Sequence, residues 1–292
     1  MLITQNVNAS QVDSIPFPHL IVPDIFPDVM YRELRDALPD LSVLSKGLPV
    51  GSNKRFNYSA TNIAFNPNIS MLWKSLAQEH LSQSFLDDFL RLFGSHILER
   101  YPDFESRFAK LNELKAGIRK ADDDSAANVL LDFQIAVNTP VEFGGTSVRG
   151  PHLDCPRKLF VGLLYFRDDA DDSEGGDLEF YCVKGEGTAK LDAGRTGQRD
   201  DFELVKSVPF KGNVLVLFLN SPEALHGVSI RSRTMYPRIF LNLLGELKEN
   251  LFVAPSSEAK LLTTSGPSPK KLNSTFGGAG LIHLSGPDRP RK

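Results

Sequence analysis

Two histidines and one aspartate in this sequence have the types and the spacing of metal ligands. His152 and Asp154 are two residues apart, and they lie between a glycine-containing turn at 143–145 and an apolar run. In an extended segment residues i and i+2 face the same side, so the imidazole and the carboxylate project together. His226 follows the apolar run at 214–219 and leads into another short run. Two histidines and a carboxylate form the facial triad that holds non-haem Fe(II) and leaves coordination positions open.

The half of the chain that carries these residues has the pattern of a β protein. After the acidic residues at 121–124, short apolar or alternating runs are separated by Gly, Asp, Asn and Pro, which predicts strands. Successive strands without intervening helices favour an antiparallel sandwich or jelly roll over a Rossmann or barrel fold. The predicted strands are Leu130–Val137, Leu159–Phe166, Leu178–Val183, Val205–Phe210, Val214–Leu219, Val228–Ile230 and Arg238–Leu244.

The first part of the chain is predicted to be mainly helical. Residues 16–26 contain three prolines and predict a short edge strand, because proline cannot donate to a sheet ladder. Apolar residues recur at helical spacing over 27–38 and over 70–99, which predicts one helix and then a long helix or helix pair. A further helix is predicted over 104–120. The Gly-, Asn- and Ser-rich stretch 44–68 is predicted to be a long loop.

The domain organisation follows from these elements. The 292 residues are enough for two ordinary domains or one large one. We predict a single catalytic domain over 1–250, with a mainly helical part at 1–125 and the β core at 126–250. Within it, the polar insertion 184–204 is expected to form an exposed loop. The Ser-, Pro- and Gly-rich tail 251–292 is expected to be extended or poorly ordered.

Composition excludes several classes of protein. With 33 Lys and Arg against 36 Asp and Glu the net charge is −3, which does not favour nucleic-acid binding. A hydrophobic fraction of 41% with 24% charged residues is that of a globular protein. The two cysteines, Cys155 and Cys182, cannot build a disulfide scaffold or a thiolate zinc site. The N-terminus lacks a signal-peptide pattern, so we expect a cytoplasmic protein that does not bind a membrane.

The order of motifs in the second half resembles the Fe(II)/2-oxoglutarate-dependent oxygenases, and most closely their prolyl-hydroxylase-like branch. The resemblance rests on His152-x-Asp154, the segment GGDLEF at 175–180, His226-Gly227-Val228 and the later Arg238. It spans about 130–245, and the opening segment PFPHLIVPDIFPD is similar to the start of bacterial members. It implies a double-stranded β-helix, with Fe(II), 2-oxoglutarate as co-substrate, O2 and ascorbate as a reductant.

A co-substrate bound to iron through its 2-oxo acid end still presents a distal carboxylate. An arginine offers a planar fork for two charge-assisted hydrogen bonds to such a group. Arg238 lies 12 residues beyond His226, at the head of the strand RIFLNLL, where the family places its Arg or Lys. Arg231 and Arg233 are competitors for this role, but they fall in the turn before that strand.

The same resemblance implies further contacts with the co-substrate. Tyr165 matches a position where related enzymes offer a phenol to the distal carboxylate. Asn242 lies on the same strand face as Arg238 and is predicted to add a hydrogen bond, and Leu178 is predicted to form an apolar wall.

The function implied is hydroxylation of a C–H bond in a small metabolite or in a peptide or protein side chain, with release of succinate and CO2. A halogenase is disfavoured, because the related halogenases lack the carboxylate ligand that Asp154 provides here. The alternative is a non-catalytic, cupin-like jelly roll that binds a metal or ligand. Substrate contacts are predicted in the loop 44–68, with Lys54, Arg55, Phe56 and Tyr58, and in 138–149. Ordinary surface loop is an equally good interpretation of both stretches, and the oligomeric state stays open.

The remaining polar residues are predicted to have no catalytic role. His19, His80 and His96 fall in a predicted strand and helices, and His283 falls in the tail. The aspartates at 168–172 lack the spacing of a calcium loop and predict a solvated turn. The glycine pair at 175–176 is predicted to be a hairpin turn without a chemical role. Cys155 is expected to be a small packing residue.

Overall fold

A computed structural model describes residues 2–122, 127–185 and 196–253 of the chain. The predicted tail from residue 254 onward, with His283, lies outside the described residues, and so do 186–195 within the predicted polar insertion. The described residues contain six α-helices, and all of them end before residue 108. They are α1 (Asp28–Asp36), α2 (Leu41–Leu44), α3 (Ala60–Phe65), α4 (Met71–His80), α5 (Gln83–Arg100) and α6 (Phe104–Arg107).

The predicted helices at 27–38 and 70–99 are confirmed as α1 and as the pair α4 and α5. Both members of the pair begin at a serine cap. The Ser70 side chain accepts a hydrogen bond from the Trp73 amide, and Ser82 accepts one from Phe85. Such caps satisfy amides that have no partner inside the helix, and each contributes about 1 kcal/mol. The sequence therefore fixes these helix starts locally. None of the helices in the described ranges is long and apolar enough to cross a membrane.

Two predictions for the helical part were wrong. The predicted helix 104–120 ends after one turn, and the chain then forms a short 3₁₀ turn and strand β3 (Ala116–Ile118). This strand pairs in parallel with β4 (Val129–Asn138), and Gly117 lies so close to it that a Cβ there would be 2.6 Å from the Ala127 Cβ. The predicted loop 44–68 contains strand β2 (Arg55–Tyr58) and helix α3. In both places pairing with β4, which is distant in sequence, overrides the local pattern.

The remaining strands confirm the predicted jelly roll, with shifted ends. The predicted strand 205–210 begins earlier, at Phe202, and the predicted strand 228–230 begins at His226 and ends at Val228. The edge strand predicted within 16–26 is confirmed as β1. The other strands are β1 (His19–Val22), β5 (Lys158–Phe166), β6 (Leu178–Val183), β7 (Phe202–Val208), β8 (Leu215–Leu219), β9 (His226–Val228) and β10 (Arg238–Leu247).

Two sheets form the double-stranded β-helix. The large sheet has the order β1-β8-β5-β10-β4-β2, with β3 beside β4, and the small sheet has the order β7-β6-β9. Apart from the parallel pair β3 and β4, all pairings in the two sheets are antiparallel. Several neighbouring strands, such as β1 and β8 or β10 and β4, are far apart in sequence, so residues from distant parts of the chain meet on one sheet face.

Both faces of the large sheet are covered, by different partners. The outer face packs against α4 and α5, where Phe89 lies 4.2 Å from the Phe160 ring between centroids. The inner face faces the small sheet and carries a separate apolar cluster that includes Leu163, Tyr165 and Phe240. Coverage on both sides explains why β4 is buried throughout and β5 nearly so. The inner face is the one that carries the polar site.

Candidate metal site

A direct backbone pairing brings the two predicted histidine ligands together. His226 opens β9, and its amide donates to the carbonyl of His152 at 3.1 Å, while the His152 amide donates back at 2.8 Å. Residues paired in this way place their side chains on the same face. The two imidazole centroids are 4.3 Å apart. Asp154 follows two residues after His152, and so it projects to the same side.

The hydrogen bonds of the histidines leave one ring nitrogen of each free for a metal. Nδ1 of His152 donates to the Gly150 carbonyl, and Nδ1 of His226 donates to the Ala224 carbonyl, both at 2.9 Å. A proton held on Nδ1 leaves the lone pair on Nε2. The hydrogen bond from Nδ1 to the carbonyl also fixes the orientation of each ring. One ligand atom from each of His152, Asp154 and His226 lies within 4.8 Å of the others. The donor set and its convergence fit a divalent metal.

The electrostatics of the triad favour the protonation states that bind metal. Burial lowers the pKa of His152 well below its ordinary value, and the neighbouring His226 lowers it further. Burial also lowers the pKa of His226. For Asp154 burial raises the pKa, but Lys158 and the two histidines outweigh it, so the pKa falls far below its usual range. Nζ of Lys158 lies 3.1 Å from Asp154 Oδ1. At neutral pH the site therefore presents two neutral imidazoles and one carboxylate.

Arg238 lies at the head of β10, fully buried beside the triad in the same cavity. Its Nε donates to the Gly176 carbonyl at 2.8 Å, and its guanidinium lies 4.8 to 4.9 Å from the ring centres of Tyr165, Phe210 and Phe240. Arg238 Nη2 and Tyr165 Oη are both buried, and neither makes a well-oriented hydrogen bond among the described residues. Burial lowers the pKa of Arg238, and proximity to Tyr165 opposes that shift. A guanidinium and a phenol that await partners fit an incoming carboxylate.

The glycine pair at 175–176 is not the hairpin turn that we predicted, because it joins strands of different sheets. Both residues have positive φ, at 73° and 76°. A Cβ at Gly175 would lie 1.9 Å from the backbone oxygen of Ile230, so only glycine allows this approach. The approach places the Gly176 carbonyl where it accepts the Arg238 Nε hydrogen bond. The pair therefore positions the arginine.

The two competing arginines lie elsewhere. Arg231 is buried and forms an ion pair with Asp171 at 2.7 Å, with Nε donating to Ser173. Asp171 therefore departs from the solvated turn that we predicted for 168–172, because Arg231 compensates its burial. Arg233 is exposed and lines a separate open cleft formed by 140–143 and 233–236. That cleft shares no lining residue with the cavity of the triad.

Two other predicted site residues line the triad cavity. Leu178, the first residue of β6, is buried in the inner apolar cluster and borders the cavity. Asn242 also lines it, and its Nδ2 donates to Gln134 Oε1 at 3.0 Å. One of the two N–H donors of the Asn242 amide is therefore already used, and its second N–H and its oxygen are left for a ligand.

The structure separates the predicted substrate-contact residues. Arg55 lines the triad cavity, whereas Lys54, Phe56 and Tyr58 do not. The alternation of β2 explains this, since Phe56 and Tyr58 belong to or pack against the outer cluster. In the stretch 138–149, Arg149 lines the cavity, and 140–143 line the separate cleft.

Sequence reasoning missed two contacts of Asp154, those with Lys158 and with Arg149, and it did not single out Asn138 within the predicted contact stretch 138–149. Nη1 of Arg149 lies 3.7 Å from Asp154 Oδ1. Asn138 pairs with Arg238 in the sheet register and is buried. The i,i+4 spacing of Asp154 and Lys158 was a weak signal for their contact, but nothing in the sequence indicated the register of β4 against β10.

The other residues that we had set aside have structural roles or lie apart from the site. Nδ1 of His80 donates to the Leu76 carbonyl, and its Nε2 accepts from the Ile3 amide. His19 is buried in β1 near the Phe17 and Phe180 rings. His96 lies on α5, outside the cavity of the triad. Cys155 is exposed, so the prediction that it is a packing residue was wrong.

Comparison with known proteins gives distant structural similarity. No family model matches the chain, and no curated protein matches it. A Pseudomonas putida prolyl-4-hydroxylase is 14% identical, with a TM-score of 0.44 over 82% of this chain and 99% of that one. The α-ketoglutarate-dependent carbocyclase SnoK from nogalamycin biosynthesis is 12% identical, with a TM-score of 0.45 over 93% and 96%.

A third structure is that of the epimerase SnoN in complex with Fe3+, α-ketoglutarate and nogalamycin RO. It is 12% identical, with a TM-score of 0.43 over 92% of this chain and 94% of that one. The strand pairing and the triad described above define the fold and the site on their own. The solved structures to which the chain is similar are of the kind that its sequence resembles, prolyl hydroxylases and other Fe/2-oxoglutarate-dependent oxygenases.

Proposed function

We propose that the protein is an Fe(II)- and 2-oxoglutarate-dependent oxygenase that hydroxylates a C–H bond of a small molecule or of a peptide side chain, with release of succinate and CO2. The observation that carries the proposal is the convergence of His152, Asp154 and His226, with both Nε2 lone pairs free. Beside them lies a buried arginine, Arg238, that forms no salt bridge with a carboxylate of the described residues. A set of metal ligands alone would be consistent with many kinds of metal-binding protein. The adjacent Arg238 adds the requirement for an anionic co-substrate.

In this proposal His152, Asp154 and His226 hold the iron. Bound iron supplies the oxidising power, through decarboxylation of 2-oxoglutarate with O2 and with ascorbate as a reductant that keeps the metal ferrous. Lys158 holds the Asp154 carboxylate in its ionised form and in place. The carbonyls of Gly150 and Ala224 fix the two imidazole rings, so the ligand geometry exists before the metal binds.

The co-substrate is oriented by residues of the inner sheet face. Arg238 and Tyr165 bind its distal carboxylate, and Asn242 offers an oxygen nearby. Leu178 and Phe240 form apolar walls that exclude water from the metal's surroundings. Because the carboxylate binds in a site of low dielectric, its pairing with the arginine is stronger than on an exposed surface.

We further propose that residues 1–250 act as a single catalytic domain in the cytoplasm. Its support is that the helices α4 and α5 cover the outer face of the sheet whose inner face carries the site. The substrate is expected to be a small molecule or a peptide, without nucleic acid or membrane as partner.

The test uses the full chain with Fe(II) and 2-oxoglutarate. Under anaerobic conditions the wild type should develop the charge-transfer absorption of an iron-bound 2-oxo acid, and in air it should form succinate from 2-oxoglutarate. Both should disappear in His152→Ala and in His226→Ala, and both should persist in His96→Ala, which removes a histidine from the α5 surface.

Two outcomes would contradict the proposal. A folded wild-type protein that binds neither Fe(II) nor 2-oxoglutarate excludes the oxygenase. Binding of iron, with 2-oxoglutarate changing neither the iron spectrum nor the Tm, would indicate a cupin-like metal-binding protein without turnover.

A further inference from the structure

The inner wall of the triad cavity carries a second arginine beside Arg238. In the sheet register Arg238 pairs with Asn138 of β4, and Asn138 also pairs with Arg55 of β2. Residues in register on adjacent strands point to the same face, with strands about 4.8 Å apart. Arg55, Asn138 and Arg238 therefore form a row across three strands, and both arginines line the cavity that contains the triad.

Arg55 forms no salt bridge with a carboxylate in the part of the chain that the structure describes, and the nearby Asp154 only partly offsets the lowering of its pKa. Its Nε donates to Asn57 Oδ1 at 3.2 Å, and its guanidinium lies 4.9 Å from the Phe240 ring centre. Burial lowers the pKa of Arg55 to about 10, and the nearby positive charge of Arg238 adds to the shift. A guanidinium held against an aromatic ring, with its terminal nitrogens unpaired, is oriented to bind an anion.

Asn138 lies between the two arginines and has unused hydrogen-bonding capacity. Only 1% of its surface is exposed, and within the described residues neither Nδ2 nor Oδ1 has a hydrogen-bond partner. Buried amide groups without partners are rare in proteins, and such a group points to a ligand. An amide nitrogen next to a guanidinium complements the oxygens of a carboxylate or a phosphate.

The charges in the cavity leave a positive excess after the metal and co-substrate bind. Among the described residues, the cationic side chains Arg55, Arg149, Lys158 and Arg238 line it together with one carboxylate, that of Asp154. Arg149 and Lys158 both lie within 4 Å of this carboxylate, whereas Arg55 and Arg238 form no salt bridge with a carboxylate of the described residues. The two positive charges of Fe(II) would cancel the two negative charges of 2-oxoglutarate, so the positive charge of the described lining favours a further anion at Arg55.

We infer that the substrate to be oxidised carries a carboxylate or phosphate group, and that Arg55 binds this group beside the metal, with the buried Asn138 amide next to it in the same row. The inference rests on the proposed function and names the substrate class for the same site. Arg238 is enclosed by three aromatic rings and suits the co-substrate. Arg55 is only partly buried and belongs to β2, the last strand at its edge of the large sheet, so a substrate that enters from solvent can reach it.

The experiment measures binding of small anions to the anaerobic Fe(II) enzyme at saturating 2-oxoglutarate, where Arg238 is occupied. The probes are acetate and methylphosphonate, with acetamide as the neutral isostere of acetate. The readouts are the shift of the charge-transfer absorption and of the Tm. We expect at least one of the two anions to bind and acetamide not to bind.

Variants test whether Arg55 is the group that binds the anion. Arg55→Gln should weaken binding of that anion by at least about tenfold, and its 2-oxoglutarate affinity should stay within about threefold of the wild type. Arg233→Gln removes the same charge from an exposed site and should change neither affinity. Whichever anion depends on Arg55 identifies the group as carboxylate or phosphate.

The possible failures are distinguishable. Loss of 2-oxoglutarate binding in Arg55→Gln to the same extent as in Arg238→Gln would assign Arg55 to the co-substrate and overturn the inference. Anion binding that is absent, or that is equal in wild type and Arg55→Gln, would overturn it as well. In these cases the charge-transfer absorption of the wild type still reports on the proposed function separately.

Discussion

Replacement of Arg238 by glutamine should separate co-substrate binding from protein stability. The glutamine removes the charge and the planar fork but keeps a polar side chain of moderate length. Arg238 has no carboxylate partner among the described residues, so the substitution breaks no ion pair in the ligand-free protein. It loses the Nε hydrogen bond to Gly176 and the contacts with three aromatic rings. We expect the ligand-free protein to lose about 1–2 kcal/mol.

The effect on 2-oxoglutarate should be larger. Hydrogen bonds to charged groups contribute about 1.5–3 kcal/mol each, and a buried arginine fork makes two of them to a carboxylate. With a loss of about 2–4 kcal/mol, and about 1.4 kcal/mol per tenfold, the Kd should rise by about 30- to 700-fold. At a concentration of 100 times the wild-type Kd, 2-oxoglutarate stabilises the wild type by about 2.7 kcal/mol. The same concentration stabilises a variant with 100-fold weaker binding by only about 0.4 kcal/mol.

The assay is a pair of measurements on protein loaded with Mn(II), which does not turn over. Isothermal titration gives the Kd of 2-oxoglutarate, and thermal unfolding with and without 2-oxoglutarate gives the stabilisation. Arg233→Gln serves as the control for loss of one positive charge at an exposed position.

The reasoning is refuted if Arg238→Gln binds 2-oxoglutarate within about threefold of the wild type while its fold is intact. The distal carboxylate would then bind another group, and Arg55 would be the next candidate in the same cavity. A variant that unfolds without ligand would show instead that the aromatic contacts of Arg238 hold the inner sheet face together. Arg238→Lys, which keeps the charge, then supplies the Kd comparison.

Three further predictions concern stability. Asn138→Leu should raise the free energy of unfolding of the ligand-free protein by about 1 kcal/mol, because it removes buried polar atoms without partners. Chemical denaturation measures this change. A loss of stability above about 2 kcal/mol would contradict the prediction. Burial lowers the pKa of His80 to about 4, so its protonation is easier in the unfolded chain. The folded state therefore loses stability relative to the unfolded state as the pH falls below 6.5. The loss is complete below about pH 4, where it reaches about 3 kcal/mol. His80→Gln should therefore flatten the loss of stability over this range, and an unchanged slope would refute the assignment. Gly175→Ala should lower the free energy of unfolding by at least about 3 kcal/mol in the same denaturation assay. The control is Gly185→Ala, which should lose about 1 kcal/mol, because Gly185 has the same sign of φ but no described atom near the position that a Cβ would take. Equal losses would show that the close approach is not required.

The helix pair and the jelly-roll strands could be predicted because their signals are local. Serine caps and helical spacing fix α4 and α5, and apolar runs between turn residues mark most strands. The segments 55–58 and 116–118 could not be predicted as strands. Both are short, and both become strands only because β4 offers them an edge with which to pair.

The metal ligands and the arginine at the head of β10 were also predicted from the sequence, through their spacing and their order. Their assigned roles remain proposals that the experiments above test. The wrong predictions around them have one cause. The glycine pair at 175–176 and Asp171 are explained by contacts with Ile230 and Arg231, more than 50 positions away, and no local pattern encodes such contacts.

The sequence by itself predicted the candidate ligand set, since residue type and i,i+2 spacing single out His152 and Asp154, and its pattern of apolar runs predicted the class of fold that surrounds them. Only the tertiary structure decided which charges face that ligand set. The register of β2, β4 and β10 places Arg55, Asn138 and Arg238 in one row. Register results from pairing and packing over the whole sheet, and a slip of one residue would turn all three side chains to the other face. The anionic character of the proposed substrate therefore becomes visible only in the folded chain.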